Sequence, residues 1–158
     1  MTTEDRLIPL DPAVRAGLYK QFDEVPAHHR LQNHASRFEA RDVWGEYIVA
    51  TDILSDNPSD NHRQRIERTE QRWKSYMDQR NTHHALCNPV DAAEFGGYLL
   101  EEYEICQILA ARYWGEIERF YRWMFTHTEF PHQYNPFVMA AISDDTASDL
   151  WHAIMDRS

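Results

Sequence analysis

The sequence predicts an all-α protein built as a bundle of amphipathic helices. Asp11, Asn88 and Asn135 are each followed by proline, and an N-capping residue before proline is typical of a helix start. Apolar residues recur at intervals of three and four residues along the later segments, which is the helical period. No segment shows a persuasive alternation of apolar and polar residues, so we expect no strand.

The first third of the chain carries the weaker helix signals. Asp11 and the proline after it predict a helix that ends near Phe22. Ser36 and Glu39 have the spacing of a capping box. One longer helix over residues 29–50 is the alternative interpretation of this segment.

The remaining chain carries strong signals for further helices over residues 61–80, 88–104, 105–126, 137–142 and 146–155. Their apolar positions predict one common core. The predicted core residues are Ile66, Trp73, Met77, Phe95, Leu99, Leu109, Tyr113, Ile117, Phe120 and Met124.

The chain divides at the polar run 55–60, which predicts a turn. We expect an N-terminal helical extension over 1–55, a helical domain over 56–142 and a C-terminal amphipathic helix over 143–158. No apolar run approaches the roughly 20 residues of a membrane span. The acidic start without a following apolar stretch indicates no signal peptide, so we expect a cytoplasmic protein with reduced thiols at Cys87 and Cys106.

The charge balance is unusual because the net charge is −10 and only Lys20 and Lys74 among the 16 basic residues are lysines. An excess of acids with few lysines indicates a halophilic protein that stays hydrated in concentrated salt. A GC-rich genome, which favours arginine codons, is the alternative explanation.

Residues 61–80 are the one positive segment, with six basic and three acidic side chains, and residues 105–142 are neutral, with three of each. On a helical wheel the arginines of both segments lie largely off the apolar stripe. Arginine binds phosphate and guanine in a bidentate manner, so these side chains predict a DNA-binding surface. The predicted set is Arg65, Arg68, Arg72, Arg112, Arg119 and Arg122. The interleaved glutamates leave a solvated, ion-paired helix face as the alternative.

Catalytic motifs are missing from the sequence. It contains no glycine-rich phosphate loop, no Gly-x-Ser-x-Gly and no His-Glu-x-x-His. His83, His84 and Cys87 have a spacing that zinc ligands use, but loop histidines beside a buried cysteine are the favoured interpretation. We therefore expect no catalytic residue, no cofactor and no metal.

Residues 111–124, together with the Tyr-Asn-Pro-Phe run at 134–137, resemble a known family. The order Tyr113, Ile117, Phe120, Trp123 and Met124, followed by a loop and Asn-Pro, is similar to the last long helix of the N-terminal core-binding (SAM-like) domain of tyrosine recombinases, the phage-integrase family. The sequence around Asn-Pro, at residues 131–136, is most similar to the corresponding sequence of haloarchaeal members. The resemblance covers about residues 60–142.

This resemblance implies a four-to-five-helix orthogonal bundle that clamps duplex DNA during DNA recombination or integration, with the 61–80 and 105–126 helices against the DNA. The family's catalytic domain, with its two arginines, lysine, His-x-x-Arg and nucleophilic tyrosine, has no counterpart after Asn135-Pro136. The chain is thus a stand-alone domain, a remnant or a fragment. A catalytic recombinase partner and self-association stay open, and a helical protein–protein interaction module without a DNA role is the alternative function.

Overall fold

The structure, a computed structural model, describes residues 11–16, 18–54 and 59–155. The all-α class is confirmed, because the described residues contain helices and no strand. The α-helices are α1 (Pro12–Arg15), α2 (Val43–Thr51), α3 (Asp60–Gln79), α4 (Pro89–Glu102), α5 (Gln107–Phe125), α6 (Pro136–Ser143) and α7 (Asp145–Met155).

Helices α3 to α7 begin and end within about two residues of the predicted limits, and local capping explains most of their starts. The Ser59 hydroxyl accepts a hydrogen bond from the amide of His62 at the start of α3. At the start of α4 the Asp91 carboxylate accepts one from the amide of Asn88 at 2.8 Å. The Asn135 side chain does the same for Phe137 at the start of α6.

The predicted helix from Asp11 to Phe22 is wrong, because α1 ends at Arg15. Val14 and Leu18, which would form an apolar pair one turn apart, are 63% and 80% exposed. A helix continued through them would have no apolar face to bury, and short helices without such burial are unstable in water.

Neither interpretation of residues 29–50, a capping box at Ser36 or one longer helix, matches the structure. The chain forms short 3-10 segments at Ala27–His29 and Leu31–Arg37 before α2. Ser36 lies inside the second segment and not at a helix start, and Ala40 has a φ of 58°, in the left-handed region that interrupts a helix. The turn predicted over residues 55–60 falls largely outside the described residues.

The predicted core is confirmed, except that Leu109 is only partly buried. Helix α7 joins this core, and the described part of residues 11–54 contributes to it as well. The Trp44 ring lies 5.2 Å from the Phe120 ring, measured between centroids. The fold therefore places the extension and the last helix around the same apolar centre.

Two glycines let α7 approach its neighbours closely. A Cβ added at Gly96 would lie 2.7 Å from Leu150 Cδ1, and one added at Gly115 would lie 2.6 Å from Ile154 Cδ1. Either side chain of α7 would have to move. The close approach at Gly115 sets the spacing of α5 and α7 beside the candidate site.

Among the described helices, none combines the length and the apolar character that crossing a membrane requires.

Candidate nucleic-acid interface

A groove of about 300 Å³ lies where α3, α5 and α7 meet. Arg65 of α3 reaches it from one side, and Arg112 and Arg119 of α5 reach it from the other. The two arginine sets that the sequence separated by about 50 residues thus contribute to one surface. Whether DNA binds there stays a prediction.

Arg65 is held in place by a histidine one turn earlier on α3. Its Nη2 lies 3.0 Å from His62 Nδ1, and His62 Nε2 lies 3.1 Å from the carbonyl oxygen of Ile53. Because a carbonyl only accepts, the His62 proton is on Nε2 and Nδ1 accepts from the guanidinium. His62 therefore directs the Arg65 side chain while adding no charge.

Arg112 and Arg119 are both exposed, and their partners leave them available to an anion. The Arg119 side chain is 59% exposed, and its only ion pair within the described residues is a long one, 3.4 Å to Glu116. The ion pairs of the described chain include neither Arg112 nor Arg65. Arg68, outside the groove on α3, is likewise exposed and absent from those pairs.

Arg72 does not face solvent as the helical wheel suggested. Its guanidinium carbon lies 3.9 Å from the centroid of the Tyr103 ring and 4.6 Å from that of Tyr113. Its Nη1 is buried and has no hydrogen-bond partner within the described residues. Cation–π contact with two rings joins α3 to α5 and to the residue that follows α4, so this arginine supports the fold. The wheel missed this because both tyrosines lie outside α3.

Arg122 is likewise engaged inside the protein. Its guanidinium donates to both carboxylate oxygens of Glu118, whose side chain is 3% exposed. The same carboxylate accepts a hydrogen bond from Asn135 Nδ2 at 3.0 Å. The asparagine of the Asn-Pro motif therefore connects α6 to this ion pair. Glu118 was missed as a structural residue because the sequence places it among surface charges.

Replacing Arg122 with glutamine is expected to lower the free energy of unfolding by about 2 kcal/mol. The substitution leaves the buried Glu118 carboxylate without its charged partner, and half-exposure of Arg122 reduces the loss below that of a fully buried pair. Urea unfolding followed by circular dichroism measures the change. Arg119→Gln removes a long contact of 3.4 Å between an arginine that is 59% exposed and Glu116, and it should change stability by less than about 0.5 kcal/mol. Equal losses in the two variants would contradict this interpretation.

The histidine pair that suggested a zinc site has other partners. His84 Nε2 accepts from the amides of Val43 and Trp44 at 3.1 and 3.2 Å, so it caps the start of α2. The Asp42 carboxylate lies 3.8 Å from this nitrogen, but a nitrogen that accepts two amide protons carries no proton of its own. His83 contacts the backbone of Arg41. In the part of the chain that the structure describes, no three potential ligands come together.

Comparison with known proteins adds no family to this description. No protein-family model, no curated protein and no solved structure matches the chain.

Proposed function

We propose that this chain is a DNA-binding domain of the recombinase core-binding, SAM-like type, and that α3 and α5 lie against duplex DNA. The observation that carries the proposal is the convergence of Arg65, Arg112 and Arg119, from two separate helices, on one groove. Arg68 extends the same surface along α3. Arg72 and Arg122 hold the helices that carry the other four arginines.

Arginine suits this role because its planar fork donates two parallel hydrogen bonds to a phosphate. The net charge of −10 opposes an approach to DNA at low salt, but 20 of the 26 acidic residues lie outside residues 61–80 and 105–142. In molar salt the Debye length is roughly 3 Å, so distant acids are screened and local arginine contacts dominate. A halophilic protein would bind DNA under those conditions.

The proposed role includes no phosphoryl-transfer chemistry. The His-x-x-Arg spacing does occur, at His34–Arg37 and His62–Arg65, but upstream of the helix that carries the family resemblance. His34 lies in a 3-10 segment, and His62 is engaged in orienting Arg65. The proposed domain therefore binds DNA and leaves cleavage and joining to a separate catalytic domain.

Duplex binding is tested by fluorescence anisotropy with a labelled duplex over a series of salt concentrations. Arg65→Gln, Arg112→Gln and Arg119→Gln should each weaken binding about equally on unrelated sequences. Each should reduce the magnitude of the salt slope by about one unit, because one phosphate contact is lost.

Arg63→Gln is the matched control, since Arg63 is an exposed arginine of the same helix that does not line the groove. It should bind like the wild type. Circular dichroism confirms that each variant is folded. Absence of duplex binding by the wild type, or wild-type binding by the triple groove variant, would refute the proposal.

The alternative, a protein–protein interaction module, would need a docking surface on this chain. The last helix is amphipathic, but its apolar residues Ala147, Leu150 and Trp151 are buried in the core and are not available for docking. The acidic N-terminal region remains as a docking surface in that alternative. No specific contact in the described residues favours it over DNA binding.

A further inference from the structure

The groove has two chemically different parts. Its charged part is the three arginines Arg65, Arg112 and Arg119. Its apolar part, here called the floor, is formed by Ile108, Ala111 and Gly115 of α5 with the last turn of α7. Phosphate contacts with a duplex use only the arginines. The apolar part therefore needs a different explanation.

The charge of the lining indicates what kind of anion fits. Three arginines and one glutamate, Glu116, give the groove a formal charge of +2. A phosphate monoester carries about −1.5 to −2 charges at neutral pH, whereas a carboxylate carries one. A monoester also offers three oxygens, enough for guanidinium groups that converge from two helices. A terminal phosphate balances this lining better than a carboxylate does.

The size and the floor of the groove indicate what the phosphate is attached to. A volume of about 300 Å³ is at the small end of ligand pockets and much too small for a duplex. Ile108 is 44% exposed beside the arginines, although it is a large apolar side chain. A flat heterocycle stacked on this side chain would remove apolar surface from water.

We propose that the groove binds a single nucleotide, with its phosphate monoester on Arg65, Arg112 and Arg119 and its base on the apolar floor at Ile108. This proposal adds a ligand to the proposed function. It rests on that function only for the assignment of these arginines to phosphate binding. The nucleotide has two possible sources, a free mononucleotide or the unpaired, 5′-phosphorylated end of a DNA strand. The chemistry recognised is the same in both.

Isothermal titration of the full chain with adenosine 5′-monophosphate tests the first source. Saturable binding with a Kd below about 1 mM is expected, at least about tenfold tighter than inorganic phosphate or ribose 5-phosphate, because only the nucleotide uses both parts of the groove. Arg112→Gln should weaken nucleotide binding about tenfold or more, while Arg63→Gln should not change it. Benzoate that binds as tightly as the nucleotide would overturn the assignment to phosphate.

The apolar floor is tested without altering the charges. Ile108→Ser should weaken nucleotide binding about threefold to fivefold and leave the affinity for inorganic phosphate unchanged, since it removes only apolar contact area. Ile108 is half-exposed, so this variant is expected to fold. Equal effects on both ligands would contradict a base on the floor.

A second set of titrations compares a duplex that ends in a 5′-phosphorylated single-nucleotide overhang with a blunt, unphosphorylated duplex of the same length. Tighter binding of the overhang, abolished by Arg112→Gln, identifies the strand end as the source. Nucleotide binding without this preference identifies the free mononucleotide. If neither occurs, the inference is overturned, and arginine-dependent binding of blunt duplex would still uphold the proposed function. Nucleotide binding without any duplex binding would uphold this inference and refute the proposed function.

Discussion

Replacing Trp73 with alanine is expected to lower the free energy of unfolding by about 3–5 kcal/mol, because a large buried aromatic leaves a cavity that its neighbours fill only in part. Trp73 is 1% exposed and lies where α3 meets the rest of the bundle. Its ring centroid is 4.9 Å from that of Phe95 and 5.4 Å from that of Phe137. Its indole nitrogen also donates to the carbonyl oxygen of His84 at 2.8 Å.

Denaturant unfolding at neutral pH measures the effect of Trp73→Ala. Trp123→Ala is the control, because Trp123 is only partly buried at the edge of the core and should cost about 1–2 kcal/mol. A loss below about 1 kcal/mol for Trp73→Ala would show that α3 is not packed in the core. The placement of the α3 arginines beside α5 would then be wrong.

Acidification from about pH 7.5 to about pH 5 is expected to destabilise the protein by about 4 kcal/mol, chiefly through His132 and His84. Burial lowers the pKa of His132 to about 4. Burial, with the nearby charges of His83 and Lys74, lowers the pKa of His84 to about 3. Both imidazoles make hydrogen bonds to the backbone. His132 Nε2 lies 2.7 Å from the Ala85 carbonyl oxygen, and His84 accepts hydrogen bonds from two backbone amides.

The sign of this pH dependence follows from comparing the two folded-state pKa values with the pKa of histidine in an unfolded chain, which is about 6.5. Between the folded and the unfolded pKa, the unfolded chain binds more protons, so stability rises with pH. The contribution of each histidine is complete above about pH 6.5 and is lost as the pH falls towards its folded pKa. At about pH 5 each has lost about 2 kcal/mol, from 1.5 pH units at about 1.4 kcal/mol each.

Unfolding free energies at the two pH values test this expectation. His132→Gln should be less stable than the wild type at about pH 7.5 and should lose about 2 kcal/mol less on acidification. His152→Gln, which changes an exposed histidine of α7, should retain the wild-type pH dependence. A hydrogen bond from Arg41 lowers the pKa of Glu46 from its ordinary value, so this carboxylate stays ionised over the window. An unchanged pH dependence in His132→Gln would contradict the assignment.

The sequence was a good guide wherever the controlling interactions are local. The Asn-Pro pairs before α4 and α6 predicted helix starts that the structure confirms, because capping involves residues within one turn. The apolar period predicted the buried faces of α3 and α5 for the same reason. The prediction was wrong between residues 16 and 42, where no continuous apolar face supports an α-helix.

The same distinction between local and long-range interactions applies to the candidate site. Charge counting by segment singled out α3 and α5, and the helical period correctly placed Arg68, Arg112 and Arg119 in exposed positions. It gave Arg72 and Arg122 the same role, although one lies against two tyrosine rings and the other pairs with a buried glutamate. The two tyrosines lie outside α3, so a wheel drawn for α3 does not include them. Glu118 is on the same helix as Arg122, but its burial and its bond to Asn135 depend on the rest of the bundle.

The sequence by itself determined the helical class, the limits of α3 to α7, the buried stripes of α3, α4 and α5 and the two segments that are not net acidic. Those properties depend on residues within about one or two helical turns of each other. Only the tertiary structure decided which arginines line a groove and which are consumed in holding the bundle together. For Arg72 and Arg122 that division depends on contacts between elements, namely the rings of Tyr103 and Tyr113 and the bond from Asn135 to Glu118, which no local pattern encodes. The groove itself depends on the close approach of α7 to α5 at Gly115.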